Sequence, residues 1–481
     1  MRSFDSVPGL PRRSVPPRRQ NAAFRRLHPM NPRAADAERL RQQLRLAPND
    51  RIAWHNLASA EGDLGRVAEA EFAARKALAL GLEAPETRLV LARALQSQRK
   101  LDEAEKAFRD AIARRPTYID AHRDLAQLVW MRTGQVSLAL SRLERALRAA
   151  PREAGLHVVR STVLEFAGDL EGARVAAEAG LEQVPGQRDL LRQAAHLSAR
   201  LGDVDRAVTL AGQAVQGAAD GSAERIAWCE ALLAAGRVDE AEPVAAGLVA
   251  ALPDNQYAIA LQGVVWRLRG DPRYGALYDY ERLVGVQRLE APSGWSGLDT
   301  FLADVAAELE SLHAFRAHPL QQSVRGGSQL HLQAPEFARP PIAALFDAIG
   351  VAVRRHLANV GPGAGPLRSR NRGNGAVTGA WSVRLRSGGF HTDHVHPRGW
   401  LSSACYIALP GALGDGVDGH RAGWLRLGQP AIPTRPALEA EHFVRPEPGM
   451  LALFPAYMWH GVVPFEDERP RLTVAFDVVP A

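Results

Sequence analysis

Cysteine is almost missing from this chain of 481 residues: Cys229 and Cys405 are the two present, and they stand far apart. That excludes a disulfide framework and a thiolate zinc site. No uninterrupted apolar run approaches the roughly 18 residues of a membrane-spanning helix, so no membrane span is expected. Lysine is scarce too. Lys76, Lys100 and Lys106 are the whole complement, and arginine carries nearly all the positive charge, a bias that a GC-rich genome explains without any binding surface. What remains is 46% apolar and 23% charged, the balance of a globular protein. At roughly 100–200 residues per domain the length predicts two to four domains.

A formal charge of +6 and a pI near 9.7 suggest a nucleic-acid partner until the charges are located. Eight of the 59 basic residues, all arginines, and one of the 53 acidic residues, Asp5, fall within residues 1–33. The rest of the chain therefore sets 51 basic against 52 acidic side chains, and no specific nucleic-acid binding is expected of it. Residues 1–33 also hold six prolines and little apolar periodicity, which predicts a disordered tail. The tail lacks the apolar stretch of a secretory signal, so a cytoplasmic location is expected. As a basic arm it would suit acidic partners, and a start at Met30 would remove nearly all of it.

A repeat dominates the next stretch. Gly134, Gly168, Gly202, Gly236 and Gly270 are spaced by 34 residues, and Ala173, Ala207 and Ala241 follow at the same period. Pro116, Pro151 and Pro185 step by 35 and then 34. Earlier units offer Trp54, Leu57, Ala58 and Ala70, then Ala92, Ala104, Phe108 and Ala111. Two antiparallel helices account for the pattern. Alanine lets their backbones approach, glycine ends the first helix with positive φ, and proline stops the second. The pattern resembles the tetratricopeptide repeat (TPR) over residues 34–275, in six or seven degenerate units. It implies an α-solenoid whose groove binds a peptide or protein partner, or which supports a neighbouring domain.

The period stops after Gly270. Residues 276–376 read as a mainly helical lead-in, with helices over 299–317 and 340–358, a strand within 276–290, and a loop over 361–375. From residue 377 to 481 the texture changes to short apolar runs split by glycine and proline. WSVRLRS, HTDHVHP, LSSACYIALP, GWLRLG, GMLALFP and RLTVAFDVV are six strand candidates, enough for a sandwich or small barrel.

The chemistry gathers in this last segment. Of 15 histidines, His391, His394 and His396 fall within six residues, with Asp393 among them, and His460 follows in FPAYMWHGVVPF. On a strand, residues i and i+2 share a face, so His391 with Asp393 and His394 with His396 form alternative pairs on opposite faces. Either pair, joined by His460, offers three N/O ligands to a metal and leaves octahedral positions open, as in non-haem Fe(II) oxygenases. Arg471, 11 residues beyond His460, suits a carboxylate of a ligand chelating the same metal, and Thr473 on the same face adds a hydroxyl. Trp381, Trp400, Trp424 and Trp459 read as core.

The order of these elements resembles the 2-oxoglutarate/Fe(II)-dependent oxygenase superfamily. HVHPRGWLSSACYIALP, GMLALFPAYMWHGVVPF and RLTVAFD are similar to those members that carry N-terminal TPR arrays. The resemblance implies a double-stranded β-helix (jelly roll), Fe(II) and 2-oxoglutarate as cofactors, O2 as co-substrate with ascorbate in vitro, and hydroxylation of a substrate. It implies His394, His396 and His460 as metal ligands, with His391 and Asp393 the alternative pair, and Arg471, Thr473 and Tyr406 at 2-oxoglutarate. The alternatives are a TPR scaffold with an inactive jelly roll and a metalloenzyme that does not use 2-oxoglutarate. A sulfotransferase is excluded for want of a G-x-x-x-x-G-K-[ST] or related loop.

Overall fold

A computed structural model describes residues 32–481. The expected tail therefore lies outside the described residues up to residue 31. Its last two residues, Pro32 and Arg33, already open the helix Pro32–Leu46, since proline is favoured in the first turn of a helix.

Six helix pairs follow, from Arg51–Asp63 with Val67–Ala79 to Ala223–Ala234 with Val238–Ala251, and the array closes on Gln256–Arg269. The turn glycines do what their spacing predicts: Gly134, Gly168, Gly202, Gly236 and Gly270 all have positive φ. The same turn position is held by Gly65 in the first unit and by Arg99 (φ 62°) in the second, where the sequence pattern conceals it. Ala70, Ala104, Ala173, Ala207 and Ala241 are fully buried between paired helices, where a larger side chain would push the backbones apart.

The C-terminal region is a jelly roll of nine strands: β1 (Gly285–Arg288), β2 (Val324–His331), β3 (Gly375–His391), β4 (Leu401–Ala408), β5 (Leu425–Leu427), β6 (His442–Val444), β7 (Met450–Pro455), β8 (His460–Val462) and β9 (Arg471–Pro480). A larger sheet runs β1-β7-β4-β9-β3-β2 and a smaller one β6-β5-β8, every pairing antiparallel. Helices Leu298–Glu310 and Pro340–Val360 cover the outer face of the larger sheet through residues such as Phe301, Leu345 and Ile349. The lead-in is thus not only helical, because its β1 and β2 complete the larger sheet.

One strand candidate is corrected. HTDHVHP is not a strand. β3 ends at His391, and beyond it His394 alone makes an isolated antiparallel bridge to His460. The backbone explains why. The N–H of Thr392 goes to Ser323 (2.9 Å), that of His394 to His460 (2.9 Å) and that of His396 to Ala456 (3.1 Å), and Pro397 has none to give. Three partners in three segments cannot form one ladder.

The first helices of several repeat units hold the jelly roll and its lead-in. Trp130 Nε1 donates to the His318 carbonyl (2.9 Å), and the His318 ring bonds the Phe166 carbonyl (2.9 Å). The Gln256 N–H donates to the Pro397 carbonyl (3.0 Å), and Arg267 donates to the carbonyls of Gly428 and Glu439. The Tyr257 ring meets Trp459 edge-on at 5.5 Å. Pro397 adjoins His396 and Trp459 adjoins His460, so the array touches the chain on both sides of the histidines.

Candidate metal and dicarboxylate site

β9 alternates. Leu472, Val474, Phe476 and Val478 lie on one face in the core, which leaves Arg471, Thr473 and Asp477 on the other, inside the jelly roll. β4 pairs with it so that Tyr406 stands opposite Thr473. On the other neighbour, β3, Leu385 stands opposite Arg471 and Val383 opposite Thr473. The smaller sheet supplies His460 at the start of β8, opposite Leu427 on β5.

His394, His396 and His460 come together: one ring nitrogen from each lies within 4.8 Å of the others. Each ring is anchored by its Nδ1. That of His394 bonds the Thr392 carbonyl (2.9 Å), that of His460 bonds the Met458 carbonyl (2.9 Å), and that of His396 bonds the Asp477 carboxylate. A carbonyl or carboxylate accepts only, so each Nδ1 carries a proton, and in a neutral ring Nε2 is the atom left to bind a metal. Burial, with His396 alongside, pushes His394 down to about 3, and burial holds His460 well below the usual imidazole range. These two rings are therefore neutral near pH 7, the form that binds metals.

The alternative pair is arranged otherwise. The Asp393 carboxylate is held by Arg426 of β5 through two bonds (2.9 and 2.6 Å). The His391 ring bonds Ser323 Oγ (2.9 Å), which also stands 3.3 Å from His394 Nε2. His391 thus sits beside the cluster, its ring 5.9 Å from that of His394.

Arg471 is 1% exposed, and its guanidinium lies 5.1 Å from the Tyr406 ring centre. It pairs with no carboxylate among the described residues. Its Nε and the Tyr406 hydroxyl make no hydrogen bond. Burial pushes the guanidinium below its usual range and the phenol above its own, yet arginine stays protonated. A buried, unpaired cation is expensive and marks a socket for an anion. The donors therefore fit a divalent metal on the three Nε2 atoms and an acid on Arg471 and Thr473.

Two residues escaped the sequence reading. Asp477 lies on the inward face of β9 at the same period of two as Arg471 and Thr473, and that alternation could have found it. Ser323 carries no comparable signal. Of the tryptophans, Trp400 and Trp459 are fully buried, whereas Trp381 is half-buried and its ring meets His396 edge-on at 6.1 Å.

Comparison with known proteins matches two parts of the chain to described families. Residues 379–477 match the family model described as "Putative 2OG-Fe(II) oxygenase", and residues 52–80 and 85–118 match tetratricopeptide repeats. The chain has a TPR plus 2OG-oxygenase architecture. Among solved structures, a thermophilic TPR protein of Thermus thermophilus is 23% identical, over 38% of this chain and 99% of its own, with a TM-score of 0.30. YrrB, a TPR protein with an unusual peptide-binding site, is 22% identical over 37% of this chain and 92% of its own, with a TM-score of 0.26. No curated protein matches the chain. No helix among the described residues is long and apolar enough to cross a membrane.

Proposed function

We propose that this chain is a 2-oxoglutarate- and Fe(II)-dependent dioxygenase that hydroxylates its substrate. The observation that carries the reading is the unpaired, fully buried Arg471 on the same inward face as Asp477, which anchors His396 of the histidine cluster. A metalloenzyme without 2-oxoglutarate leaves that cation unexplained.

In this reading His394, His396 and His460 hold Fe(II) through Nε2. Arg471 would hold a carboxylate of 2-oxoglutarate, Thr473 would add a hydroxyl bond, and the Tyr406 ring backs the guanidinium. Fe(II), 2-oxoglutarate and O2 together supply the oxidising power when bound. The protein's own work is to position and to shield. Carbonyls and Asp477 keep the protons on Nδ1, and buried Phe454, whose ring meets that of His460 at 4.7 Å, helps exclude water. The TPR array recruits a peptide or protein to this site. The buried free thiols Cys229 and Cys405 suit a cytoplasmic setting.

The test is succinate formation from 2-oxoglutarate with Fe(II), ascorbate and O2. The unaltered chain turns over slowly without substrate, and His460→Ala and Arg471→Ala lose that activity. One observation favours the rival, a TPR scaffold with an inactive jelly roll: the histidine cluster contains no carboxylate. Absence of both succinate formation and Fe(II) retention would establish it.

A further inference from the structure

The array holds a second concavity that shares no lining residue with the histidine site. A cavity of about 480 Å³ lies among helices Leu101–Arg114, Ile119–Thr133 and Val136–Ala149, with Arg316 of the lead-in at its edge. Four arginines line it, Arg109, Arg132, Arg142 and Arg316, against one carboxylate, Glu105. Glu105 is already engaged, holding Arg109 through one oxygen and Arg132 through the other (2.7 Å). Neither Arg142 nor Arg316 pairs with a carboxylate among the described residues. Burial pushes the Arg142 guanidinium below its usual range, and Arg109 and Arg145 repel it further.

Carboxylates flank some other arginines of the array on two sides. Arg75 is shared by Glu71 and Glu103, and Arg174 by Glu171 and Glu178. Like charges gathered around a concavity raise its potential and attract an anion, which relieves their repulsion. The remaining wall is mixed: Leu125, Val129 and Leu138 form an apolar part, with Leu138 47% exposed, and Thr133, Gln135 and Ser141 add polar groups.

We propose that this cavity binds a phosphorylated small molecule, with its phosphates on Arg109, Arg142 and Arg316 and its carbon framework on Leu125, Val129 and Leu138. Its volume lies within the roughly 300–1,000 Å³ of small-molecule sites. A phosphate concentrates about two charges and three acceptor oxygens, enough for several guanidinium groups at once, where a carboxylate spreads one charge over two oxygens. Because Arg316 belongs to the lead-in, the ligand ties the array to the C-terminal domain.

Calorimetric titration of the full chain with pyrophosphate, ADP, adenosine and citrate, in metal-free buffer, tests this. Pyrophosphate and ADP bind at one per chain, and adenosine and citrate at least about tenfold more weakly. The Arg142→Ser/Arg316→Ser double variant binds both phosphates at least about tenfold more weakly, the effect of losing one charge-assisted contact. Its melting temperature without ligand is unchanged or higher, because repulsion is relieved, and ADP raises the melting temperature of the unaltered chain alone. No saturable binding of either phosphate, or equal binding by the double variant, overturns the proposal. Citrate binding as tightly as pyrophosphate overturns the assignment to phosphate.

Discussion

At His396 a proton on Nδ1 is shared with Asp477, and this bond brings a negative charge one step from a donor set that has none of its own. A carboxylate behind a ligating imidazole orients the ring and raises its basicity. Asp477→Asn keeps the size and removes the charge. It should weaken Co(II) or Mn(II) binding about 10- to 100-fold by calorimetry, and unchanged affinity would show that His396 is held by packing alone. Arg471 sets a different balance. Arg471→Met replaces a buried unpaired cation with an apolar chain, so thermal stability should rise by about 1 kcal/mol or more while turnover of 2-oxoglutarate is lost. A fall in stability would mean that the guanidinium has a protein partner after all.

Among the elements, β8 is short and decides much. Its Gly461 lies against the segment that carries the first two histidines, where a Cβ would stand 2.6 Å from Asp393 Oδ1 and 2.9 Å from the His391 carbonyl. Gly461→Ala must shift that segment and with it His394. A loss of about 1–3 kcal/mol in denaturant melts, together with weakened metal binding, is expected. HTDHVHP shows where reading by alternation stops. Its period suggests a strand, but a strand also needs one partner along its length, and here the N–H groups of Thr392, His394 and His396 bond to Ser323, His460 and Ala456 in turn. The solenoid was far more legible, because its contacts are local and every turn repeats the same demand for a small residue or positive φ. Arg99 escaped because it meets that demand without being glycine.

On the scale of the whole molecule, the jelly roll is seated on the array through bonds that include a buried histidine. His318 is pushed down to about 4 by burial, with its Phe166 carbonyl bond opposing and Arg325 adding repulsion. Burial also brings His356 to about 4 and His313 to about 3. Their pKa values are lower in the folded chain than in the unfolded one, so between pH 6.5 and about 4 the unfolded state binds more protons. The stability these neutral rings contribute is complete above pH 6.5 and is lost as pH falls through the folded values, by up to about 1 kcal/mol per pH unit for each. Melts at pH 7 and pH 5 should differ accordingly, and His318→Gln should reduce the difference. An identical pH dependence in that variant would remove His318 from the account.

The amino-acid sequence by itself determined the solenoid, the change of texture near residue 377, and the row of candidates from His391 to Thr473, because these rest on local periodicity and motif order. Which side chains meet was left to the tertiary structure. His394, His396 and His460 converge because a single bridge joins the segment after β3 to β8, and Asp393 turns to Arg426 because β5 brings that arginine within reach. The contact of the array with the chain beside the histidines was also invisible in one dimension, since it depends on carbonyls such as that of Pro397, whose residue type reveals nothing about what they accept.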